Sequence, residues 1–68
     1  MTYLPHQERV VEEKEDLDEL IWSLQKFIDS HYIFPTLPEA EQARLRKQLG
    51  IQKDYSQVLA ERIAAFTN

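Results

Sequence analysis

His31-Tyr32-Ile33-Phe34-Pro35-Thr36-Leu37-Pro38-Glu39 is the stretch that decides the fold. Each proline disfavours helical backbone in the residue before it, so Pro35 and Pro38 break a helix twice. Upstream, from Pro5 to about Ser30, apolar residues fall at Val10, Leu17, Leu20, Ile21, Leu24, Phe27 and Ile28, the three-and-four spacing of one helical face. At about 100° per residue they form a single stripe roughly 120° wide. Pro5 suits a first helical turn, where its missing N–H costs nothing. Lys14 sits in the seam where the rhythm wants an apolar residue.

Downstream, Thr36 followed by Glu39 is a capping-box pattern, and Pro38 falls in the first turn of the helix it opens. The spacing predicts a second helix from about Leu37 to Phe66, with Leu45, Leu49, Tyr55, Val58, Leu59, Ile63 and Phe66 in its seam. Gly50 is the chain's single glycine and costs about 1 kcal/mol inside a helix. A continuous helix with a weak point there is favoured over a helix stop at Leu49-Gly50-Ile51. Two long amphipathic helices joined by a loop over residues 31–36 make an all-α, antiparallel helical hairpin, one domain over residues 1–68. In that register Lys14 neighbours Tyr55, and Arg9 lies near Leu59 and Arg62.

Sixty-eight residues with no cysteine set a stability problem. A chain this short buries only about 60% of the surface its unfolded form exposes. With no disulfide and no thiolate metal site, and with His6 and His31 25 residues apart and lacking metal-ligand spacing, the remaining staple is self-association into a homo-oligomeric bundle. The expectations are no cofactor and no metal. No apolar run approaches the roughly 18 residues of a membrane span, and the start Met1 to Val10 lacks the charged-then-apolar order of a signal peptide. A soluble intracellular protein is expected.

The net charge of −4 argues against a general nucleic-acid binder, which needs basic excess to release phosphate counterions. The charge is uneven: residues 1–34 hold eight acids and three bases, for −5, and residues 35–68 hold four acids and five bases, for +1. Glu12, Glu13, Glu15, Asp16, Asp18 and Glu19 form a solvated helix face, or a patch that meets a basic protein surface or imitates nucleic acid, with a carboxylate metal site as the remaining reading. Arg44, Arg46, Lys47 and Lys53 serve solubility or phosphate recognition. Arg9 and Arg62 gather at the open end of the hairpin near His6 and Phe66, where two guanidiniums beside an aromatic ring clamp an anion or bury in a subunit contact. Val11 and Trp22 point away from the seam, Trp22 either marking a contact or lying under Lys26 as a cation–π pair. Tyr32, Ile33 and Phe34 plug the end of the core or pack on a neighbouring chain.

Catalysis has little support. No serine stands on a strand-to-helix elbow, there is no Gly-rich phosphate loop, and no Glu-x-x-His pair exists to build a di-iron bundle. The chain is expected not to be an enzyme, with no catalytic residue.

The order of residues carries more. Pro5-His6-Gln7, Arg9-Val10-Val11, Glu13-Lys14, Leu17-Asp18, Phe27-Ile28, Leu37-Pro38, Arg44-Leu45, Tyr55-Ser56 and Arg62-Ile63-Ala64-Ala65-Phe66 together resemble a family of very small phage proteins named after a crAss-like phage gene product. The resemblance covers nearly the whole chain and implies a phage accessory protein acting in the host bacterial cytoplasm. It departs from the family pattern at the apolar loop and at Gly50-Ile51. Small non-structural phage proteins often defeat host immunity, which frames two expectations. The first is a sponge, a homo-oligomer that sequesters a small anionic nucleotide-type signal through Arg9, Arg62, Tyr55, His6 and Lys14, with subunits meeting at Val11, Trp22, Tyr32, Phe34 and Phe66. The second is an acidic helical inhibitor that binds a host defence protein directly.

Overall fold

The computed structural model describes residues 2–67. Helix α1 runs Pro5–Ser30, a 3-10 turn spans Phe34–Thr36, and helix α2 runs Glu39–Ala64. The two helices pack against each other as an antiparallel hairpin, 49 Å long and 16 by 14 Å across.

Each end of α1 has a local cause. Pro5 occupies the first turn, and Gln7 closes it: its backbone N–H donates to the Leu4 carbonyl while its side-chain Oε1 accepts from the Leu4 N–H at 2.8 Å. That reciprocal pair satisfies orphan groups of the helix start and explains why a buried glutamine stands there. At the other end the chain turns extended at His31. Phe34 then drops into the end of the hairpin, 4% exposed, with the Phe27 ring edge-on at 6.0 Å and the Arg46 guanidinium 5.0 Å above it. It is the plug of the hairpin and is hidden within its own chain, so it offers no surface to a neighbour.

The capping box expected from Thr36 and Glu39 does not form. Pro38 is the N-cap of α2, and no side chain caps it. The Thr36 hydroxyl donates instead to the Ile33 carbonyl at 2.6 Å inside the 3-10 turn. Gln42 takes over the stitching, its Nε2 donating to the carbonyls of Leu37 and Pro35. The helix therefore begins two residues later than the spacing from Leu37 implies.

α2 continues through Gly50, whose φ is not positive. A Cβ added there meets nothing within 4 Å. Gly50→Ala is accordingly expected to stabilise the hairpin by about 1 kcal/mol, read as a higher midpoint in urea with an unchanged slope; a lower midpoint would show that the site needs glycine.

The seam follows one line on each helix. On α1 it is Val10, Lys14, Leu17, Ile21, Leu24 and Ile28; on α2 it is Leu49, Gln52, Ser56, Leu59, Ile63 and Phe66, all buried or half-buried. Val10, Leu17 and Leu59 form the buried cluster, with Ile21, Ile63 and Phe66 against it, and Tyr3 meets Phe66 edge-on at 5.9 Å. Leu20, Tyr55 and Val58, expected in the seam, are not in it. Each stands one residue before a seam position, a rotation of about 100° that carries it onto the flank. The seam positions beside Tyr55 go to the polar Gln52 and Ser56, and the Gln52 side-chain oxygen is buried without a hydrogen-bond partner.

Candidate functional site

The hairpin has two unlike broad faces, and the difference starts from Lys14. An ammonium in an apolar seam needs acceptors. Lys14 finds them across one face: its Nζ donates to Asp18 Oδ2 at 2.7 Å, one turn along α1, and to Ser56 Oγ at 3.1 Å on α2. The Ser56 hydroxyl then donates to Asp18 Oδ1. Farther along, Lys53 Nζ donates to Gln25 Oε1 at 2.8 Å. Side-chain hydrogen bonds thus cross between the helices on this face.

The Lys14 ammonium, and after it the Ser56 hydroxyl, hold the Asp18 carboxyl below its ordinary range. A carboxylate whose folded pKa is depressed adds stability that is present above the unfolded value and is lost as pH falls through the folded one. Asp18→Asn is therefore expected to flatten the acid limb of stability against pH, with the loss at neutral pH kept small by the exposure of Asp18. Thermal melts of both proteins from neutral to acid pH check this; parallel curves would contradict it.

The opposite face is open and carries a groove. Arg9, Glu12, Glu13, Asp16 and Leu20 of α1 and Tyr55 of α2 line it, with the buried Leu17 at its base. The arrangement offers a guanidinium for an anionic oxygen, an aromatic ring for a planar group, and carboxylates that accept hydrogen bonds from hydroxyl or amino groups. Arg9 and Tyr55 are the two expected ligand residues that the fold brings together. Lys14 lies toward the other face with its ammonium engaged, while His6 and Arg62 are exposed near the open end. The register beside Lys14 holds Ser56 as its bonded partner, with Tyr55 across the seam on the groove side.

A second groove lies along the outside of α1, lined by Glu15, Asp18, Glu19, Trp22 and Ser23. Trp22 is 63% exposed, and the Lys26 ammonium sits 4.6 Å from its ring centroid. Tyr32 is exposed and stacks on His31, with centroids 4.9 Å apart. Val11 is half-buried rather than open, which leaves Trp22 as the apolar feature of that edge. Among the described residues no group of three or more His, Asp or Glu side chains converges as a metal site would require, and no helix is long and apolar enough to cross a membrane.

The sequence does not single out a role for Gln7 or Ser56, and it sets Leu20 in the seam rather than on the groove face. The glutamine three residues after Leu4 is the residue type that reaches back to a helix start. Ser56 was findable as the small polar residue on the line of Leu49, Leu59 and Ile63, opposite Lys14. Leu20 was absorbed into a stripe drawn too wide.

Searches of curated proteins and of solved structures each return no match. The model of one family, described as Sequestin, matches residues 4–65, from the N-cap of α1 to the C-cap of α2. With both helices and the turn between them inside the match, the chain belongs to the Sequestin family.

Proposed function

We propose that this protein is a non-catalytic sponge: it binds a small nucleotide-type anion and removes it from solution without altering it. The observation that carries the reading is the groove that Arg9 and Tyr55 share with Leu17 and Leu20. A nucleotide presents an anion, a planar base and hydroxyl donors, and the groove holds a counterpart for each. Glu12, Glu13 and Asp16 on the rim repel a run of phosphates, so a compact signal with its charge gathered at Arg9 fits better than a polyanion. Sequestering is also what the family's name denotes. The biological setting we propose is a phage accessory protein, related to those of crAss-like phages, that acts in the cytoplasm of its bacterial host to silence a nucleotide-triggered defence, working as a homo-oligomer.

Titration calorimetry of the full chain against cyclic dinucleotides, cyclic trinucleotides and cyclic ADP-ribose isomers tests this. Saturable heat with one class is the expected result; no heat with any member refutes the reading. A second reading rests on the outer groove of α1, where exposed Trp22 lies among Glu15, Asp18 and Glu19: an aromatic anchor ringed by acids suits a basic host protein. Charge reversal at Glu15 and Glu19 of the outer groove that abolishes anti-defence activity, with small-molecule binding intact, would select that reading instead.

A further inference from the structure

Four large apolar side chains gather on the groove face. Leu20 is 59% exposed, Ile51 58%, Tyr55 43% and Val58 49%. On α2, Ile51, Tyr55 and Val58 follow four-and-three spacing as a second stripe, rotated about 100° from the seam, and Arg62 continues it. Leu20 is offset from the α1 seam in the same angular sense. Equal offsets on antiparallel helices fall on one side of the hairpin, and Tyr55 and Leu20 indeed line one groove.

We infer that a second copy of this chain docks on the Leu20–Ile51–Tyr55–Val58 face, so that two hairpins pack as a four-helix bundle and close the Arg9–Tyr55 groove between them. Three observations support an identical copy as the occupant. The area fits: a broad face of a rod 49 by 16 Å covers roughly 800 Å², the share each partner contributes to a standard stable interface. The need is present, because the hairpin alone buries five apolar residues, Val10, Leu17, Phe34, Leu49 and Leu59, too little for a disulfide-free chain of this length. The charges admit a two-fold contact, since Arg9 shares the face with Glu12, Glu13 and Asp16 and each copy's Arg9 can meet carboxylates of the other. The opposite face, by contrast, has its cross-helix polar groups bonded within the chain.

The contact differs from the edge around Val11, Trp22 and Tyr32 that the sequence suggests. It stands on packing and holds without ligand; only the enclosure of the groove rests on the sponge reading. With Arg9 and Tyr55 supplied from both copies, a ligand held there is shut off from water on two sides.

Sedimentation equilibrium of the full chain without ligand, from micromolar concentrations upward, tests the inference. The expected mass is twice the 8.1 kDa of the chain, or a multiple of that dimer. The double variant Ile51→Glu, Val58→Glu is expected to weaken association at least tenfold, while Trp22→Glu leaves it unchanged. Because a separated hairpin can lose its fold, a second measurement keeps the fold intact. The chain has no cysteine, so Val58→Cys and Trp22→Cys each carry one thiol for a short bis-maleimide. Val58→Cys is expected to give covalent dimers and Trp22→Cys none. A monomer at every concentration, or cross-linking at Trp22→Cys but not at Val58→Cys, overturns the inference. Failure of the sponge reading leaves these masses unmoved and shows only as absent heat in the titration.

Discussion

Leu59→Ala is expected to cost about 2–5 kcal/mol, the range for leucine truncations in packed cores. Leu59 is fully buried, at the centre of the cluster with Val10 and Leu17. Its loss removes apolar transfer energy and leaves a cavity that two rigid helices close only in part. Native domains are held by about 5–15 kcal/mol in total, and small ones sit at the low end. One truncation therefore removes a large share, and the variant is expected to lose much of its helical circular dichroism near physiological temperature. Urea titration measures the difference; a loss under about 1 kcal/mol, the scale of an ordinary surface-to-core average, would show that the seam is not where this chain keeps its stability.

The second large effect falls on binding. Arg9→Ala removes a charge-assisted hydrogen bond worth about 1.5–3 kcal/mol, so the nucleotide-type ligand found by titration is expected to bind roughly tenfold to a hundredfold more weakly. Tyr55→Ala removes a stacking platform worth about 1–3 kcal/mol, whereas Tyr55→Phe keeps the ring and should bind nearly as well. The contrast between the two Tyr55 variants is the informative part. If Phe fails as badly as Ala, the hydroxyl carries the contact and the ring does not stack. Arg9 is exposed, so Arg9→Ala is expected to keep wild-type melting, and Tyr55→Phe, which keeps the apolar ring on the docking face, is expected to do the same.

The turn and the two helices were legible because prolines at 35 and 38 and three-and-four apolar spacing are strong local signals. Pro5 in the first turn and the continuity of α2 through Gly50 belong to the same class, whereas Phe34 reads equally as a plug or as a contact with a neighbouring chain until its burial is seen. The finer phase was not legible. On α2 both Tyr55-Ser56 and Val58-Leu59 offer neighbouring positions to the seam, and hydrophobicity alone favours the apolar member of the first pair. Packing chooses otherwise: Lys14 on α1 needs an acceptor opposite, and Ser56 provides one, which turns Tyr55 outward onto the face that carries Arg9. The Thr36 side chain shows the same limit on a smaller scale: its spacing to Glu39 suggests a helix cap, and its hydroxyl instead bonds the Ile33 carbonyl in the 3-10 turn. Of the candidate site, Arg9 and Tyr55 could be named in advance but their shared groove could not, because it depends on which residue of a pair faces inward.

Capture without chemistry is open to one direct measurement. The full chain is incubated with the signal that gives heat, the protein is separated by filtration, and the filtrate and the heat-denatured protein are each analysed by mass spectrometry. Depletion of the signal from the filtrate and its return intact from the denatured protein is the expected result. A signal that remains in the filtrate, or comes back as a cleaved product, would contradict it.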